Sequence, residues 1–598
     1  MSNGAATTLW AQAFCDELAR AGVREVVVAP GSRSTPLVMA FAADDRFRCR
    51  VHLDERSAAF FALGVGKASG RPAVVVTTSG TAAANVFPAV IEAAQGETPL
   101  LVLTADRPHH LRDADANQAI DQIHLYGSFT RAFFEVAQPI LHEPAFAHLR
   151  ALAGRAVAEA SGSPRGPVHL NFPFDKPLEP VLGAEPFRTE HQLAGAGRDD
   201  GVPFVQVDVG RREASPEALE ALVAAVATPR GVIVAGPTTE GARLGEAVWA
   251  LAGATGFPVM ADALSGARFG PSGDAHVVAA YDLFLRDDNV RDSLTPTLIV
   301  RVGASPTSAA LQGWMKHHGG VRHVVVDGGS RWKDHGALAT EYVQADAADT
   351  LASVAELAPM STDPEWQASW RTAEAAALAV LSGDVEHRHE GHVAGIVAAT
   401  LPQDGTLFVS SSMPVRDLDA FGHPHAEGIT VLGNRGASGI DGIVSTAFGV
   451  AAASDGPTVC LLGDVAFFHD QNGLLWSREK DAAVIFVLID NDGGGIFHML
   501  PIAAHEPGFT RFFATPHGLD FRHVAEMHDV PFQDAEVESF SQHLDEAIAL
   551  RRSCVLRIRT SREENTRHRR EVTDAVSRSV REALARSLDL HTKPILMK

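Results

Sequence analysis

The chain has 598 residues, 46% of them apolar and 21% charged, and 51 Lys and Arg against 73 Asp and Glu leave a formal net charge of −22. That apolar content excludes global disorder, and at about 100–200 residues per domain the length predicts three or four folded domains. The acidic balance excludes non-specific coating of nucleic acid, which needs a basic face, and argues against a hold on anionic lipid.

Residues 1–10 lack the charged and long apolar regions of a secretory signal. Trp10, Phe14 and Leu18 share one face of a helix that stops at Gly22. Residues 23–29 form a nearly continuous β-branched run, the mark of a strand buried on both faces of a parallel sheet. The alternation continues with a helix over 57–69, a strand over 73–78, a helix over 81–94, and strands over 100–105 and 168–171. Residues 183–209 lose periodicity and gain Gly, Pro and charge, so a linker is expected there. A second block has strands over 231–235, 257–261, 297–302 and 323–327. A weak boundary near 381–392 opens a third, with strands over 406–410, 430–432, 459–462, 484–489 and 554–558 and a charged helical tail over 562–588. The expected fold class is α/β, with three doubly wound parallel-sheet domains: 1–182, a linker 183–209, a central Rossmann-like domain 210–380, and 390–598. The four cysteines (Cys15, Cys49, Cys460 and Cys554) form no C-x-x-C pair, so neither a zinc knuckle nor a disulfide framework is expected, and buried thiols are. No run of about 18 apolar residues suggests a membrane span, and a cytoplasmic protein is expected.

Open α/β sheets bind ligands beyond the carboxyl ends of their strands. One strand of the third block runs into Gly463-Asp464-Val465, and the next into Asp490-Asn491-Asp492-Gly493-Gly494-Gly495. Asp464 and Asn491, 27 residues apart, thus offer a carboxylate and an amide oxygen from two strand ends of one sheet. Hard divalent cations take such ligands, and glycines let backbone approach a diphosphate. Two ordinary βα turns would leave the same trace singly; the pair at this spacing favours the cation.

This pair resembles the diphosphate-binding motif of thiamine-diphosphate enzymes, with Val465 where that family often has Gly. The resemblance implies that Asp464, Asn491 and the carbonyl of Gly493 hold Mg²⁺ (or Mn²⁺), which in turn holds the diphosphate of the cofactor near Gly463. It implies that the domain over 1–182 binds the cofactor's pyrimidine and the one over 390–598 its diphosphate. The family also uses a glutamate that hydrogen-bonds N1′ of the aminopyrimidine and so activates the thiazolium C2. Glu55, in His52-Leu53-Asp54-Glu55-Arg56, stands in that place, although Asp54 and Glu55 also suit a helix N-terminus on their own. In the family the cofactor lies between two chains, so a homodimer or a dimer of dimers is implied.

Further motifs narrow the resemblance to the synthases of menaquinone biosynthesis that decarboxylate 2-oxoglutarate and add the resulting carbanion 1,4 to isochorismate. They are Pro30-Gly31-Ser32-Arg33, Thr78-Ser79-Gly80-Thr81, Ala105-Asp106-Arg107-Pro108, Asn117-Gln118, Ser411-Ser412-Met413-Pro414-Val415-Arg416 and the run from Asn434-Arg435 to Asp441-Gly442. The match covers the first and third blocks and is weak in the middle one. It implies that Ser79, Gly80 and Ser412 touch the cofactor, with Ile440 as the apolar wedge beneath it and Ile496 and Phe497 as an apolar wall. Ser412 and Arg416 are implied for the 2-oxoglutarate-derived group, Ser32, Arg33, Arg107 and Gln118 for isochorismate, and Arg435 for either anion. The residues agree by themselves: an Arg fork binds a carboxylate bidentately, and four arginines just past strand ends in an acidic protein focus positive potential. Surface arginines paired with nearby acids, such as Arg107 with Asp106, are the bland alternative. A Lys frequent in the family near Ser308 is missing here, where Ser308-Ala309-Ala310 stands.

Three rivals share some of these features. Another thiamine-diphosphate enzyme, such as an acetohydroxyacid synthase, would keep Glu55 and the cation motif without needing the arginines. A non-catalytic protein could hold the cofactor as a ligand. A nucleotide-binding protein would need a phosphate loop of the G-x-x-x-x-G-K-[ST] kind, which the sequence lacks.

Overall fold

The computed structural model describes residues 3–270, 276–329, 331–383, 389–425 and 428–592. Residues 384–388, inside the boundary expected near 381–392, lie outside the described residues. The chain forms two compact units, one of residues 1–210, 434–455 and 469–484, the other of 211–433, 456–468 and 485–598.

The first unit holds a six-stranded parallel sheet of β1 (Glu25–Val28), β2 (Arg48–Val51), β3 (Ala73–Thr77), β4 (Leu100–Asp106), β5 (Ala132–Glu135) and β6 (Pro167–Pro173), in the order β2-β1-β3-β4-β6-β5. The central strands β3, β4 and β6 are buried at every position, as the apolar runs of β3 and β4 require, while β6 buries His169 and Asn171 among its apolar residues. The Asn3–Arg20 helix closes one face with Trp10, Phe14 and Leu18 in the core, Trp10 edge-on to Phe146. The helix expected over 81–94 divides into Thr81–Asn85 and Phe87–Gln95 at Val86, just before Pro88, which removes a backbone donor. The stretch expected as a linker carries two short helices, Glu185–Glu190 and Gln192–Ala196, and buries Phe187 and Ala194 in the first core. Within this unit the helix Ile443–Ala452 lies tightly on the helix Glu55–Ser69. A Cβ on Gly64 would stand 2.2 Å from the Thr446 carbonyl oxygen, and one on Gly449 would stand 2.0 Å from that of Phe61, so both contacts need glycine.

The second unit holds two such sheets. The middle one is β7 (Gly231–Ala235), β8 (Val259–Ala261), β9 (Val277–Val278), β10 (Leu298–Val302), β11 (Arg322–Val326) and β12 (Glu341–Val343), in the order β12-β11-β10-β7-β8-β9. The last comprises β13 (Thr406–Val409), β14 (Thr430–Leu432), β15 (Thr458–Gly463), β16 (Val484–Asp490), β17 (Phe532–Asp534) and β18 (Cys554–Arg559), in the order β14-β13-β15-β16-β18-β17. The first and last sheets therefore repeat one winding, second-first-third-fourth-sixth-fifth, while the middle sheet has the Rossmann order. In the repeated winding the direction of travel reverses between the first and third strands. That reversal opens a crevice beyond their carboxyl ends, between β1 and β3 in one sheet and between β13 and β15 in the other. In the middle sheet the equivalent loops after β7 and β10 meet backbone to backbone: a Cβ on Gly236 would stand 1.8 Å from the Ala304 carbonyl oxygen.

Cys15, Cys460 and Cys554 are buried, but Cys49 is exposed, because β2 is a sheet edge with one neighbour. No described helix is long and apolar enough to cross a membrane.

Candidate active site

In the first unit the strand ends gather the expected polar residues. Arg33 follows β1 and Arg107 follows β4, and both are buried at less than a tenth exposed. Burial and the neighbouring Arg107 both lower the pKa of Arg33. The Arg107 guanidinium donates to Ser79 Oγ at 2.8 Å and to the Asn117 carbonyl at 2.5 Å. It does not pair with Asp106, whose carboxylate takes Arg112 at 2.9 Å and the Asn171 amide at 2.9 Å. Ser79 and Gln118 bond reciprocally, Ser79 Oγ to the Gln118 carbonyl and Gln118 Nε2 to the Ser79 carbonyl, each at 2.9 Å. The Gly80 N–H donates to Gln122 Oε1 at 2.9 Å. Arg33 spends one Nη1 bond on the Phe174 carbonyl at 2.8 Å, and its buried Nε has no hydrogen-bond partner among the described residues. Two cations held this close by neutral acceptors form a receptor for anions. Ser32 sits in the same turn, its carbonyl accepting from the Thr35 N–H and hydroxyl.

Glu55 opens the helix Glu55–Ser69, but Asp54 does the capping. Its carboxylate accepts from the N–H groups of Arg56 at 2.8 Å and Ser57 at 3.2 Å, and from Asn472 at 2.6 Å. The half-buried Glu55 carboxylate is left with Asn85 Nδ2 at 3.3 Å. The same unit carries Arg435 and Ile440 on a loop that Glu92 clamps: Glu92 accepts from the N–H groups of Gly436 at 3.0 Å and Ala437 at 2.7 Å, and from Lys67 Nζ at 3.1 Å.

In the second unit β13 and β15 lie side by side, as do β15 and β16, so Ser412, Asp464 and Asn491 project from three successive strand ends. Ser412 has φ +74°, in a region non-glycine residues rarely enter, and its carbonyl takes Arg416 Nη1. Asp464 is buried. Its Oδ1 accepts from the Val465 N–H at 2.7 Å, and its Oδ2 from those of Asn491 at 3.1 Å and Gly493 at 2.9 Å. Burial raises its pKa against those hydrogen bonds. Gly493 has φ +136°, and a Cβ there would stand 2.1 Å from the Ala514 carbonyl oxygen, whereas nothing approaches within 4 Å of a Cβ on Gly463. Ile496 and Phe497 follow in the turn Gly495–Met499, with the Phe497 ring 5.7 Å from that of Phe513.

A divalent cation fits these residues on one observation. The side-chain oxygen Oδ1 of Asn491 is buried with no hydrogen-bond partner among the described residues, while Nδ2 of the same amide is bonded. A buried amide oxygen left without a donor has the chemistry of a cation ligand. The surroundings include residues that the sequence did not flag. His517 Nε2 lies 3.3 Å from Asp464 Oδ2, and Arg562 Nη1 donates to the Asn491 carbonyl at 2.6 Å. Ligand atoms of Asp464, Asp490 and His517 lie within 4.8 Å of one another. Neither His517, in a loop, nor Arg562, opening the last helix, follows a strand, so neither carries a signal at this level. The missing lysine position has been absorbed into packing: Ser308 is buried, caps the helix Ala309–His317 and donates to Asp282 at 2.7 Å.

Three families match the chain: the N-terminal TPP binding domain of thiamine pyrophosphate enzymes over residues 10–125, their middle domain over 198–409, and their C-terminal TPP binding domain over 426–558. With three six-stranded parallel sheets, they define the class: a thiamine-diphosphate-dependent enzyme of α/β fold. Among curated relatives, one from Halobacterium salinarum is 47% identical over 95% of this chain and 98% of its own length. One from Geobacillus kaustophilus is 42% identical over 97% and 99%, and one from Roseiflexus castenholzii 44% over 92% and 95%. All three are named 2-succinyl-5-enolpyruvyl-6-hydroxy-3-cyclohexene-1-carboxylate synthase, and the chain belongs to that family.

Proposed function

We propose that the chain catalyses the reaction of this family in menaquinone biosynthesis: decarboxylation of 2-oxoglutarate and 1,4-addition of the remaining four-carbon unit to isochorismate, with release of CO2. The observation that carries the reading is the pair of buried arginines, Arg33 just past β1 and Arg107 just past β4, whose guanidinium groups bond neutral acceptors. A carboxylate-bearing acceptor gives both of them a partner that a neutral acceptor does not. Bound thiamine diphosphate supplies the electron sink for decarboxylation and carbon–carbon bond formation.

The residues then take the following parts. Asp464, Asn491 Oδ1 and the Gly493 carbonyl would hold Mg²⁺ or Mn²⁺, and Gly463 leaves room for the diphosphate. Glu55 would hold a proton at the aminopyrimidine nitrogen, with Ser79, Gly80, Ser412, Ile440, Ile496 and Phe497 around the rings. Arg33, Arg107, Gln118 and Ser32 would bind the carboxylates and hydroxyl of isochorismate, Ser412 and Arg416 the group from 2-oxoglutarate, and Arg435 one of the two anions. The domains over 1–182 and 390–598 would take the pyrimidine and diphosphate ends, with the cofactor between two copies of the chain. The free cysteines suit a reducing cytoplasm.

The test is product analysis with thiamine diphosphate, Mg²⁺ and 2-oxoglutarate, with and without isochorismate. The expected result is consumption of the isochorismate diene in step with CO2 release, and an adduct whose mass is the sum of the substrates less CO2. CO2 release at the same rate without isochorismate, and no adduct with it, would overturn the reading in favour of a plain decarboxylase.

A further inference from the structure

Deepening the cation reading above, on which this step rests, we propose that Glu390 is the positioning residue that fixes which face of the Asn491 amide meets the cation. Glu390 lies on neither strand of the motif. It opens the helix Glu390–Thr400 and is 3% exposed. Its Oε1 accepts from Asn491 Nδ2 at 3.0 Å and from Thr560 Oγ1 at 2.6 Å. Its Oε2 accepts from Asn565 Nδ2 at 2.9 Å, and its own N–H donates to Asn565 Oδ1 at 3.3 Å.

The chemistry of the groups makes this arrangement directional. A carboxylate only accepts, whereas the two ends of a primary amide are a donor and an acceptor of nearly the same shape. Facing Glu390, Asn491 must present its NH2 end. The oxygen then points away, and it is the buried Oδ1 that has no partner among the described residues. Turned over, the amide would aim N–H groups at a cation and set its oxygen against a carboxylate. The three donors on Glu390 come from the end of β16, from just beyond β18 and from the helix Arg562–Thr592, so the amide is tied to three elements at once. Partners that orient a metal ligand in this way are worth about 10–100-fold in metal affinity.

The substitution Glu390→Gln keeps the shape and removes the direction, because a glutamine can donate to Asn491 as well as accept from it. The experiment measures Mn²⁺ affinity by the electron paramagnetic resonance signal of free Mn²⁺, on the full chain with thiamine diphosphate, for wild type, Glu390→Gln, Glu390→Asp and Asn491→Ala. The expected result is about 10–100-fold weaker Mn²⁺ binding in Glu390→Gln. Glu390→Asp, with its charge kept and its carboxylate drawn back, should fall between, and it carries the test should the glutamine variant fail to fold. Saturating Mn²⁺ should return kcat and both substrate KM values close to wild type, a rescue that general loss of structure would not allow. Wild-type Mn²⁺ affinity in the Glu390 variants with weakened affinity in Asn491→Ala would overturn the positioning role alone. Unchanged affinity in Asn491→Ala would overturn the cation reading beneath it.

Discussion

Arg107 spends its fork on two neutral oxygens, Ser79 Oγ and the Asn117 carbonyl, while the nearest acid, Asp106, is taken by Arg112 and Asn171. A cation placed this way keeps its charge for an incoming anion; the buried Arg33 beside it also gives its Nη1 bond to a neutral oxygen, the Phe174 carbonyl, although Asp175 and Asp106 act on it electrostatically. The fork matters as much as the charge, since lysine offers a point charge without two parallel donors. Charged hydrogen bonds are worth about 1.5–3 kcal/mol. Arg107→Lys should therefore raise the KM for isochorismate about 10- to 100-fold and change kcat much less, as read by initial rates over a range of isochorismate concentrations. An unchanged KM would remove Arg107 from the acceptor site. Ser412 and Gly493 show the same economy in the backbone: each bends where an ordinary residue resists, and each bend falls just past a strand end.

At the level of elements, helices hold the loops that carry the proposed site residues. The helix Phe87–Gln95 contributes Glu92, buried with Lys67 and bonded to two N–H groups of the loop bearing Arg435 and Ile440. Breaking a buried ion pair by removing one partner costs about 3–5 kcal/mol. Glu92→Ala should lose stability on that scale in urea denaturation, and Glu92→Gln, which keeps acceptors for the loop, should lose less; equal losses would show that the loop bonds contribute nothing. Legibility in the sequence also divides by element. Strands buried on both faces announce themselves as unbroken apolar runs, and β3, β4, β7, β10 and β16 lie where those runs lie. The strands that escape notice, β5, β9, β12 and β17, are all at sheet edges, short or half-exposed, where one face and one neighbour leave no pattern to read. The exposure of Cys49 on the edge strand β2 has the same origin. In the site, residues just past a strand are legible because topology assigns them a crevice. Glu390, His517 and Arg562 are not, because a helix start or a loop reaches the same place by tertiary packing alone.

For the whole molecule, the informative fact is that the first and last sheets share one strand order and carry their candidate site residues just past strand ends. Two copies of one binding plan suit one ligand with two unlike ends, a pyrimidine and a diphosphate. The central claim of the proposed function is that Glu55, just past β2 of the first sheet, and Asp464, just past β15 of the last, would serve one cofactor between two chains. The measurement that tests it most directly mixes two dead variants. Glu55→Gln and Asp464→Ala should each lose isochorismate consumption, the first by about 10²–10⁴-fold as expected for a proton-handling group. Unfolded briefly, mixed in equal amounts and refolded with thiamine diphosphate and Mg²⁺, they should recover about a quarter of wild-type activity, since half of a statistical mixture is hybrid and each hybrid has one intact site. Full activity in Glu55→Gln alone, or no recovery when hybrids are shown to have formed, would contradict the account.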